Sequence, residues 1–543
     1  MEYRLIKDND YINKTVKEIK SELLHRRHIV DINKFLNVNI DNVENINNYD
    51  HIAEGYELLI DTLKNRGLIG ILVDCDIDGY SSSALIYQYI KNIEPTANII
   101  YFIHNGKQHG LTDEKIFSQI KKVHIDLLII PDASSEDYIQ HKQLKELGVN
   151  ILVLDHHEAD KYSDDAIIIN NQLSSNVNNK YLSGVGVTYK FCKYVDSKLQ
   201  KNFADNYLDL VALGNIGDVM DLRQLETRYL VLEGLKHINN KFLIELINKN
   251  AYEIDKSGIN ILSIGWTIIP KINALIRIGT KKEKIDLFRA IIGEKEISKR
   301  TYRGKTTIEN LQQKMSRVAC NRHQTQNSRI KKCQGEIEEQ INEFDKKEKR
   351  VLIFNGTGNL STKLTGLVAN KLASKYKRPV LMLQQRKEDN NVYGGSARNY
   401  KGFDIKDFKQ FCKSTNLFGM CQGHPNAFGI EINKNNINKL NRYIQNNLQD
   451  IKIRTDDIYD VDYIFNFKDI NSKMVIDIGK MKDIWGNGIE EPYFVIKNVI
   501  ISNRHIKQYG NKKNVVKFTI NNINFVKEYA SQQFFDKLTC QPE

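Results

Sequence analysis

The chain has 543 residues, of which 41% are hydrophobic and 27% charged. This balance excludes a disordered chain, and the length is too great for a single core. The seven cysteines form no CxxC pair, which argues against a disulfide framework or a zinc ribbon and predicts a reduced, cytoplasmic protein. The net charge of +12 suits a polyanionic partner, although a codon bias toward Lys and Asn would give the same surplus. No run of about 18 apolar residues is found, so no membrane span is predicted.

The predicted elements divide the chain into five segments. Residues 1–65 are a mostly helical lead-in, and residues 66–235 alternate apolar strand patterns with helical ones, which is typical of a parallel sheet covered on both faces. Residues 236–345 are a helical connector ending in a charged stretch, which is either a long helix or a flexible linker. Residues 346–447 form a second, smaller α/β domain, and residues 448–543 have the alternation of a small β-barrel or β-sandwich.

Acidic and imidazole side chains follow three of the predicted parallel strands. They are Asp74, Asp76 and Asp78 after Leu68–Val73, Asp132 after Asp126–Ile130, and Asp155, His156 and His157 after Asn150–Leu154. The carboxyl ends of such strands meet at the ligand crevice of an open α/β sheet. Packed carboxylates repel one another unless a cation neutralises them, and an oxygen-rich set with imidazole suits Mn²⁺ or Mg²⁺. A lone Asp-x-Asp is more often an acidic turn, but three strand ends together predict a two-metal centre for phosphodiester hydrolysis.

These motifs resemble the DHH phosphoesterase superfamily, and their order resembles that of its RecJ-like exonucleases. Asp155-His156-His157 is the triplet that names the family, and residues 74–79 (DCDIDG) are similar to its first motif. Further similar segments are 104–111 (HNGKQHGL), 182–187 (LSGVGV), 209–219 (DLVALGNIGDV), 270–277 (PKINALIR), 395–398 (GSAR), 423–429 (GHPNAFG) and 485–488 (WGNG).

The resemblance implies an enzyme that hydrolyses single-stranded DNA to mononucleotides in the 5′-to-3′ direction with two Mn²⁺ or Mg²⁺ ions. Its implied metal ligands are Asp76, Asp78, Asp132, His156 and Asp218, with Asp74 as a ligand or an orienting residue. Its implied catalytic residues are Asp132, as the bridging carboxylate, with Asp155 and His157. The DNA strand would be bound by Asn273, Arg277, Ser396, Arg398, Gly423 and His424.

The resemblance also implies the architecture: an α/β fold with a parallel-sheet DHH domain at 66–235, a helical connector, a DHH-associated domain at 346–447 and a C-terminal oligonucleotide-binding (OB)-like β-barrel. A single-strand-binding protein is a candidate partner. Two alternative functions stay open. One is a DHH phosphodiesterase for short oligonucleotides or cyclic dinucleotides, which would not need an OB-like region. The other is a non-catalytic DNA-binding replication factor, although such relatives usually lack ligands that this chain retains.

Overall fold

The structure, a computed structural model, describes residues 2–539 apart from positions 8–10, 12–13, 105, 107–108, 255–257, 340–348, 357–359, 361, 387–388, 454–457, 503–505 and 511–512. Three positions of the motif at 104–111, namely 105, 107 and 108, therefore lie outside the described residues.

The first 65 residues contain a strand as well as the predicted helices. Strand β1 (Glu2–Leu5) precedes helices at Val16–Arg26, Ile32–Leu36 and Ile52–Lys64. β1 pairs in parallel with a strand near the other end of the chain, at Ile458–Val461. The prediction of a mostly helical lead-in did not include this strand, because a four-residue strand whose partner is distant in sequence leaves no local pattern.

The next segment contains the predicted parallel sheet. Its strands are β2 (Leu68–Val73), β3 (Asn98–Ile103), β4 (Leu127–Pro131), β5 (Asn150–Asp155) and β6 (Ile167–Asn170), in the spatial order β3-β2-β4-β5-β6. Every neighbouring pair is parallel. Its helices are Ile77–Ile93, Glu114–Ile120, Tyr138–Glu146, Gly184–Leu199, Leu208–Gly217 and Leu225–Lys236.

The two faces of this sheet pack into separate cores, because successive side chains of a strand point to opposite faces. Ile71 belongs to the large core on one face and Leu72 to the smaller core on the other. From β2 the chain crosses to β3 on one side of the sheet and then to β4 on the other side. Ligands bind at such a switch point in open α/β sheets, here between β2 and β4.

The connector is helical but also carries a β-hairpin that was not predicted. Its main helices are Lys241–Lys249, Ile269–Ile278, Lys281–Ile291 and Leu311–Glu338. The hairpin consists of β7 (Ile297–Tyr302) and β8 (Lys305–Asn310). The charged stretch is a long helix as far as residue 338, and residues 340–348 are outside the described part.

One described helical stretch, Ile261–Ile278, is long and apolar enough to cross a membrane by length and composition alone. Its side chains Ile264, Ile272 and Leu275 are buried in the large core beside the DHH sheet. A core helix of this kind passes the same test, so the expectation of no membrane span stays a prediction.

The second α/β domain has a mostly antiparallel sheet. Its strands are β9 (Leu352–Asn355), β10 (Val380–Gln385), β11 (Val392–Arg398), β12 (Phe418–His424) and β13 (Ala427–Asn433), in the order β12-β13-β11-β10-β9. Only the β9–β10 pair is parallel. Helices at Thr365–Tyr376, Phe408–Ser414 and Lys434–Asn447 complete it. The predicted fold class, two α/β domains joined by helices, is confirmed.

The C-terminal region is β-rich. Its strands are β14 (Ile458–Val461), β15 (Tyr463–Asn466), β16 (Phe494–Lys497), β17 (Lys507–Tyr509), β18 (Val515–Ile520) and β19 (Ile523–Lys527). Among the described residues these strands form small separate sheets, of which β17-β18-β19 is antiparallel. The OB-like barrel therefore stays a prediction.

The start of this region is part of the first domain's core rather than an independent unit. Tyr463 and Trp485 are buried in the large core beside the DHH sheet. Arg27 from the N-terminal segment donates to both carboxylate oxygens of Asp462, at 3.1 and 3.0 Å. The two ends of the chain are thus joined to each other and to the first domain.

Candidate metal centre

The sheet delivers two carboxylates to its switch point. Asp74 follows β2 and Asp132 follows β4, and both are buried. Asp132 has a φ of +65°, a left-handed conformation that Asp adopts more readily than most residues. Gly184 leaves the space that Asp132 occupies, since a Cβ at position 184 would lie 2.5 Å from the Asp132 Cβ.

Asp78 is fixed by the start of the helix Gly184–Leu199. Its Oδ2 accepts a hydrogen bond from the Gly184 backbone N–H at 2.6 Å. Its Oδ1 accepts from the Ser183 hydroxyl at 2.9 Å and the Val185 N–H at 3.2 Å. A helix N-terminus favours a carboxylate, yet burial raises the pKa of Asp78 to about 6. The side chain is therefore positioned before any ion binds.

His156 faces three of these acids. Its Nε2 lies 3.2 Å from Asp132 Oδ1, 3.4 Å from Asp218 Oδ2 and 3.9 Å from Asp78 Oδ2. Burial lowers the pKa of His156 to about 3, so the ring is neutral and keeps a lone pair. Within the described part of the chain, neither His156 Nε2 nor Asp132 Oδ1 has a hydrogen-bond partner, although both are buried.

The carboxylates and His156 form two adjacent groups, and Asp132 of the first lies 3.2 Å from His156 of the second. Oxygen atoms of Asp74, Asp76 and Asp132 lie within 4.8 Å of one another, and so do ligand atoms of Asp78, His156 and Asp218. Burial and then the neighbouring carboxylates raise the pKa of Asp132 and of Asp218 well above the usual range. A divalent cation removes that repulsion and satisfies the unpaired oxygen and nitrogen. The donor set therefore fits Mn²⁺ or Mg²⁺.

Asp155 acts on His157 rather than joining either group. It accepts hydrogen bonds from the Ser135 hydroxyl at 2.7 Å and from the His156 N–H at 2.7 Å. Its Oδ1 also lies 2.8 Å from His157 Nδ1. Burial alone would lower the pKa of His157, but the Asp155 carboxylate raises it to about 9. At neutral pH, His157 is therefore a cation whose ring lies 4.4 Å from the His156 ring, centroid to centroid.

Cationic side chains from the connector and the second domain face this centre. Burial lowers the pKa of Arg277, while the charges of Asp76 and Cys75 act in the opposite direction. Burial and then Arg277 lower the pKa of Arg398. Because Arg277 is in the connector and Arg398 in the second domain, the second domain faces the first across the metal centre. Neighbouring guanidinium groups in such a cleft suit the phosphates of a strand.

The other predicted strand-binding residues are placed less uniformly. His424 is exposed at the end of β12. Partial desolvation of its ring by neighbouring atoms, together with the charge of His157, lowers its pKa. Gly423 precedes it with a φ of +121°. Ser396 is buried, and its hydroxyl lies 2.9 Å from the Thr365 hydroxyl, inside the second domain. Asn273 lies one helical turn before Arg277, but no hydrogen bond among the described residues links it to the carboxylates.

Three residues near the centre were not predicted as site residues. His109 Nδ1 lies 2.5 Å from Asp74 Oδ2, and its Nε2 lies 3.6 Å from the Cys75 sulfur. Burial and then Lys363 lower the pKa of Lys284 to about 8. His109 belongs to the motif at 104–111, so a signal for it existed. Lys284 and Lys363 lie in no motif, and only the folded chain brings them together.

A carboxylate–imidazole centre at the switch point of a parallel sheet, faced by the cations of a second α/β domain, defines a two-domain phosphoesterase architecture. The family model described as "DHH family, N-terminal domain" matches residues 68–215, and that of the "DHHA1 domain" matches residues 348–450. The chain is 39% identical over 545 residues to the "Putative SPbeta prophage-derived single-strand DNA-specific exonuclease YorK" of Bacillus subtilis (strain 168), covering 99% of this chain and 92% of that protein. This chain belongs to the DHH family, among its RecJ-like members.

RecJ proteins themselves are more distant. The single-stranded-DNA-specific exonuclease RecJ of Bacillus subtilis is 24% identical over 480 residues, which cover 87% of this chain and 57% of RecJ. The crystal structure of RecJ from Thermus thermophilus in complex with Mn²⁺ superposes with a TM-score of 0.66 at 16% identity, over 89% of this chain and 66% of that one. This likeness shows a shared fold, and the chain spans little more than half the length of the Bacillus subtilis RecJ.

Proposed function

We propose that this chain is a metal-dependent exonuclease that hydrolyses single-stranded DNA from the 5′ end to mononucleotides. The observation that carries the proposal is the pair of adjacent ligand groups, which the 3.2 Å contact between Asp132 and His156 connects. Arg277 and Arg398 lie close to this centre. The printed names of the relatives, which are single-strand DNA-specific exonucleases, support the substrate class.

The centre would hold two Mn²⁺ or Mg²⁺ ions through side chains already grouped there, namely Asp76, Asp78, Asp132, His156 and Asp218, with Asp74 joining or orienting them. Bound ions of this kind lower the pKa of a water molecule and neutralise charge on the phosphate. The Asp155 carboxylate favours the protonated form of His157, whose Nε2 would donate a hydrogen bond to a phosphate oxygen or a proton to the leaving oxygen. Asp155 is on this view a positioning residue.

The strand would pass between the two domains. Arg277 and Arg398 would bind its phosphates from opposite sides, and His424 would contact a phosphate near His157. Asn273, Ser396 and Gly423 would shape the walls of the same cleft. Because cations from both domains must reach one backbone, we expect a single strand to be bound in preference to a duplex.

We also propose cytoplasmic action and a single-strand-binding protein as a partner. The six cysteines that the structure describes are all free, which suits a reducing compartment.

The test is degradation of single-stranded DNA labelled at the 5′ or the 3′ end, with Mn²⁺, beside duplex DNA and short RNA. We expect immediate release of the 5′ label as a mononucleotide by the wild type and none by Asp132→Asn. Activity confined to di- and trinucleotides would instead indicate a phosphodiesterase for short oligonucleotides. Binding of Mn²⁺ and DNA without any cleavage would indicate a non-catalytic factor.

A further inference from the structure

The hairpin β7–β8 is an exposed arm of the connector. Its strands pair from Ile297 with Asn310 to Tyr302 with Lys305. The intervening Arg303 and Gly304 have φ values of +48° and +77°, as a tight hairpin turn requires. Ile297 and Ile308 are 77% and 71% exposed, so beyond its base the hairpin is largely open to solvent. A two-stranded hairpin is marginally stable in water, and its retention as an exposed arm needs an explanation.

The base of the arm is anchored by ion pairs that use the nearby acids. Arg289 pairs with Glu294 at 2.7 Å and with Glu296 at 2.8 Å. Arg317 Nε donates to Glu309 at 3.0 Å. Glu309 is the one acidic residue between positions 297 and 310, and this pair neutralises it. Glu309 also interacts with Arg300, so the arm has a fixed base and a single acid against its four cations.

The outer half of the arm is cationic and aromatic. It carries Lys299, Arg300, Arg303 and Lys305 around the half-exposed Tyr302. The guanidinium carbons of Arg300 and Arg303 lie 5.1 and 5.3 Å from the centroid of the Tyr302 ring. Cations that pair with phosphates beside an aromatic ring that stacks on a base are the features of a single-strand contact.

The arm begins at the end of a helix that starts at the metal centre. In the helix Lys281–Ile291, the Lys284 Nζ donates to the His104 carbonyl at 3.3 Å, and His104 Nε2 lies 3.7 Å from Asp74 Oδ1. The helix has 11 residues, so it spans about 16 Å. Each hairpin strand has six residues and adds about 20 Å at most. The tip therefore lies up to about 36 Å from the start of that helix, a distance that corresponds to several nucleotides of an extended strand.

We propose that this arm binds the backbone of the DNA strand outside the metal centre, at a distance of several nucleotides from its cleaved end. The proposal rests on the proposed function, because the strand must first occupy the cleft. Charge complementarity selects the occupant: four cations and a half-exposed tyrosine lie along an arm whose one acid, Glu309, is paired with Arg317 at the base.

The experiment compares wild type with a variant that replaces Lys299, Arg300, Arg303 and Lys305 by Gln. A matched control removes the same number of positive charges from the DHH domain, at exposed lysines on or just after the helices Glu114–Ile120 and Tyr138–Glu146. Its substitutions replace Lys121, Lys122, Lys142 and Lys145 by Gln. DNA affinity is measured by fluorescence anisotropy in EDTA over a series of salt concentrations, with oligonucleotides of about 30 and about 6 nucleotides, chosen to exceed or not exceed one binding site.

For the long strand, we expect the slope of log K against log salt to fall by about 3 in the arm variant, since four contacts contribute about 0.7 each. For the long strand, the control variant should have the slope of the wild type. For the short strand, both variants should have the slope of the wild type. Tyr302→Ala retains every charge, and it should weaken binding of the long strand about fivefold or more without changing the slope.

An unchanged slope in the arm variant, or an equal fall in the control, overturns the proposal. Absence of DNA binding by the wild type would instead overturn the proposed function. The two failures are therefore distinguishable.

Discussion

Replacement of Asp132 by Asn removes the shared charge of the metal centre and preserves its shape. Asp132 has a φ of +65°, and Asn tolerates the left-handed region as Asp does. The two side chains are also nearly isosteric, so the close packing against Gly184 is retained. Asp132→Ala is the contrasting control, because Ala in this conformation adds strain of about 1 kcal/mol.

We expect Asp132→Asn to raise or preserve the free energy of unfolding without metal, and to lower it relative to the wild type when Mn²⁺ is bound. Burial and neighbouring carboxylates raise the pKa of Asp132 well above its usual range, and each unit of such a shift is worth about 1.4 kcal/mol at neutral pH. Asp132→Asn relieves this penalty, so the metal-free variant should be at least as stable as the wild type. With Mn²⁺ at about 100 times its Kd, the wild type should gain about 2.7 kcal/mol, and the variant should gain little because the shared ligand is lost.

Asp78, whose pKa is about 6 in the folded chain, makes one contribution to the pH dependence of the metal-free protein, and the neutral His156, whose pKa is about 3, acts in the opposite direction. A carboxyl with a raised pKa favours the fold in its protonated form. Its contribution is complete below the unfolded value of about 3.9 and is lost as the pH rises through 6. The loss is about 3 kcal/mol, and Mn²⁺ should restore stability increasingly over the same pH window.

Thermal unfolding followed by circular dichroism, with and without MnCl₂ between pH 4 and 8, checks these expectations. An equal Mn²⁺ gain for wild type and Asp132→Asn would refute the role of Asp132 as the shared ligand. A metal-free Asp132→Asn less stable than wild type at pH 7 would refute the argument from repulsion.

Three further predictions concern other parts of the molecule. Asp155→Asn should shift the NMR titration of the His157 ring from a pKa of about 9 towards about 6.5, and an unchanged titration would contradict the pairing. Lys190→Ala should destabilise the fold by about 3–5 kcal/mol in urea unfolding, because it leaves the buried Glu226, 2.6 Å away, without its cation; a loss under about 1 kcal/mol would contradict this. Removal of residues 500–543 should leave the unfolding temperature nearly unchanged, because their apolar side chains form a separate small cluster, and should weaken binding of long single strands; a large drop in the unfolding temperature would contradict this.

The sequence predicted the first domain well because its structure depends on local patterns. Runs such as Leu68–Val73 are apolar on both faces, so they identify parallel strands wherever they occur. The acids that follow them then lie at one edge by topology alone. β1 and the arm at 297–310 escaped prediction for the opposite reason. β1 depends on a distant partner, and the arm's exposed, highly charged strands lack the apolar alternation that indicates a sheet.

For the site, the sequence predicts which residues follow each strand, but it does not predict how their side chains contact one another. The sequence identified Asp132 and His156, but the 3.2 Å approach of Asp132 Oδ1 to His156 Nε2 depends on Gly184 and the helix that it begins. Lys284 lies in the connector and Lys363 in the second domain, and they influence each other's pKa only in the folded chain. No spacing in the sequence carries that information.

The second domain is tied to the first at both of its ends. On one side the helix Leu311–Glu338 joins it to the connector, and on the other the chain returns to the first domain, where Leu222 N–H donates to the Asn487 carbonyl at 3.0 Å. A surface pair between Lys401 and Glu490, 3.1 Å apart, links the second domain to this returning segment.

Connections at both ends of the second domain would hinder sideways entry into the cleft and favour entry of a strand by its free end. We therefore expect linear single-stranded DNA to be degraded, and a covalently closed circle of the same sequence to survive under identical conditions with Mn²⁺. A nick introduced into the circle should restore degradation, which controls for sequence and secondary structure. Degradation of the intact circle would show that the cleft opens sideways, and the tethers at residues 311–338 and 487–490 would then not determine how the strand enters.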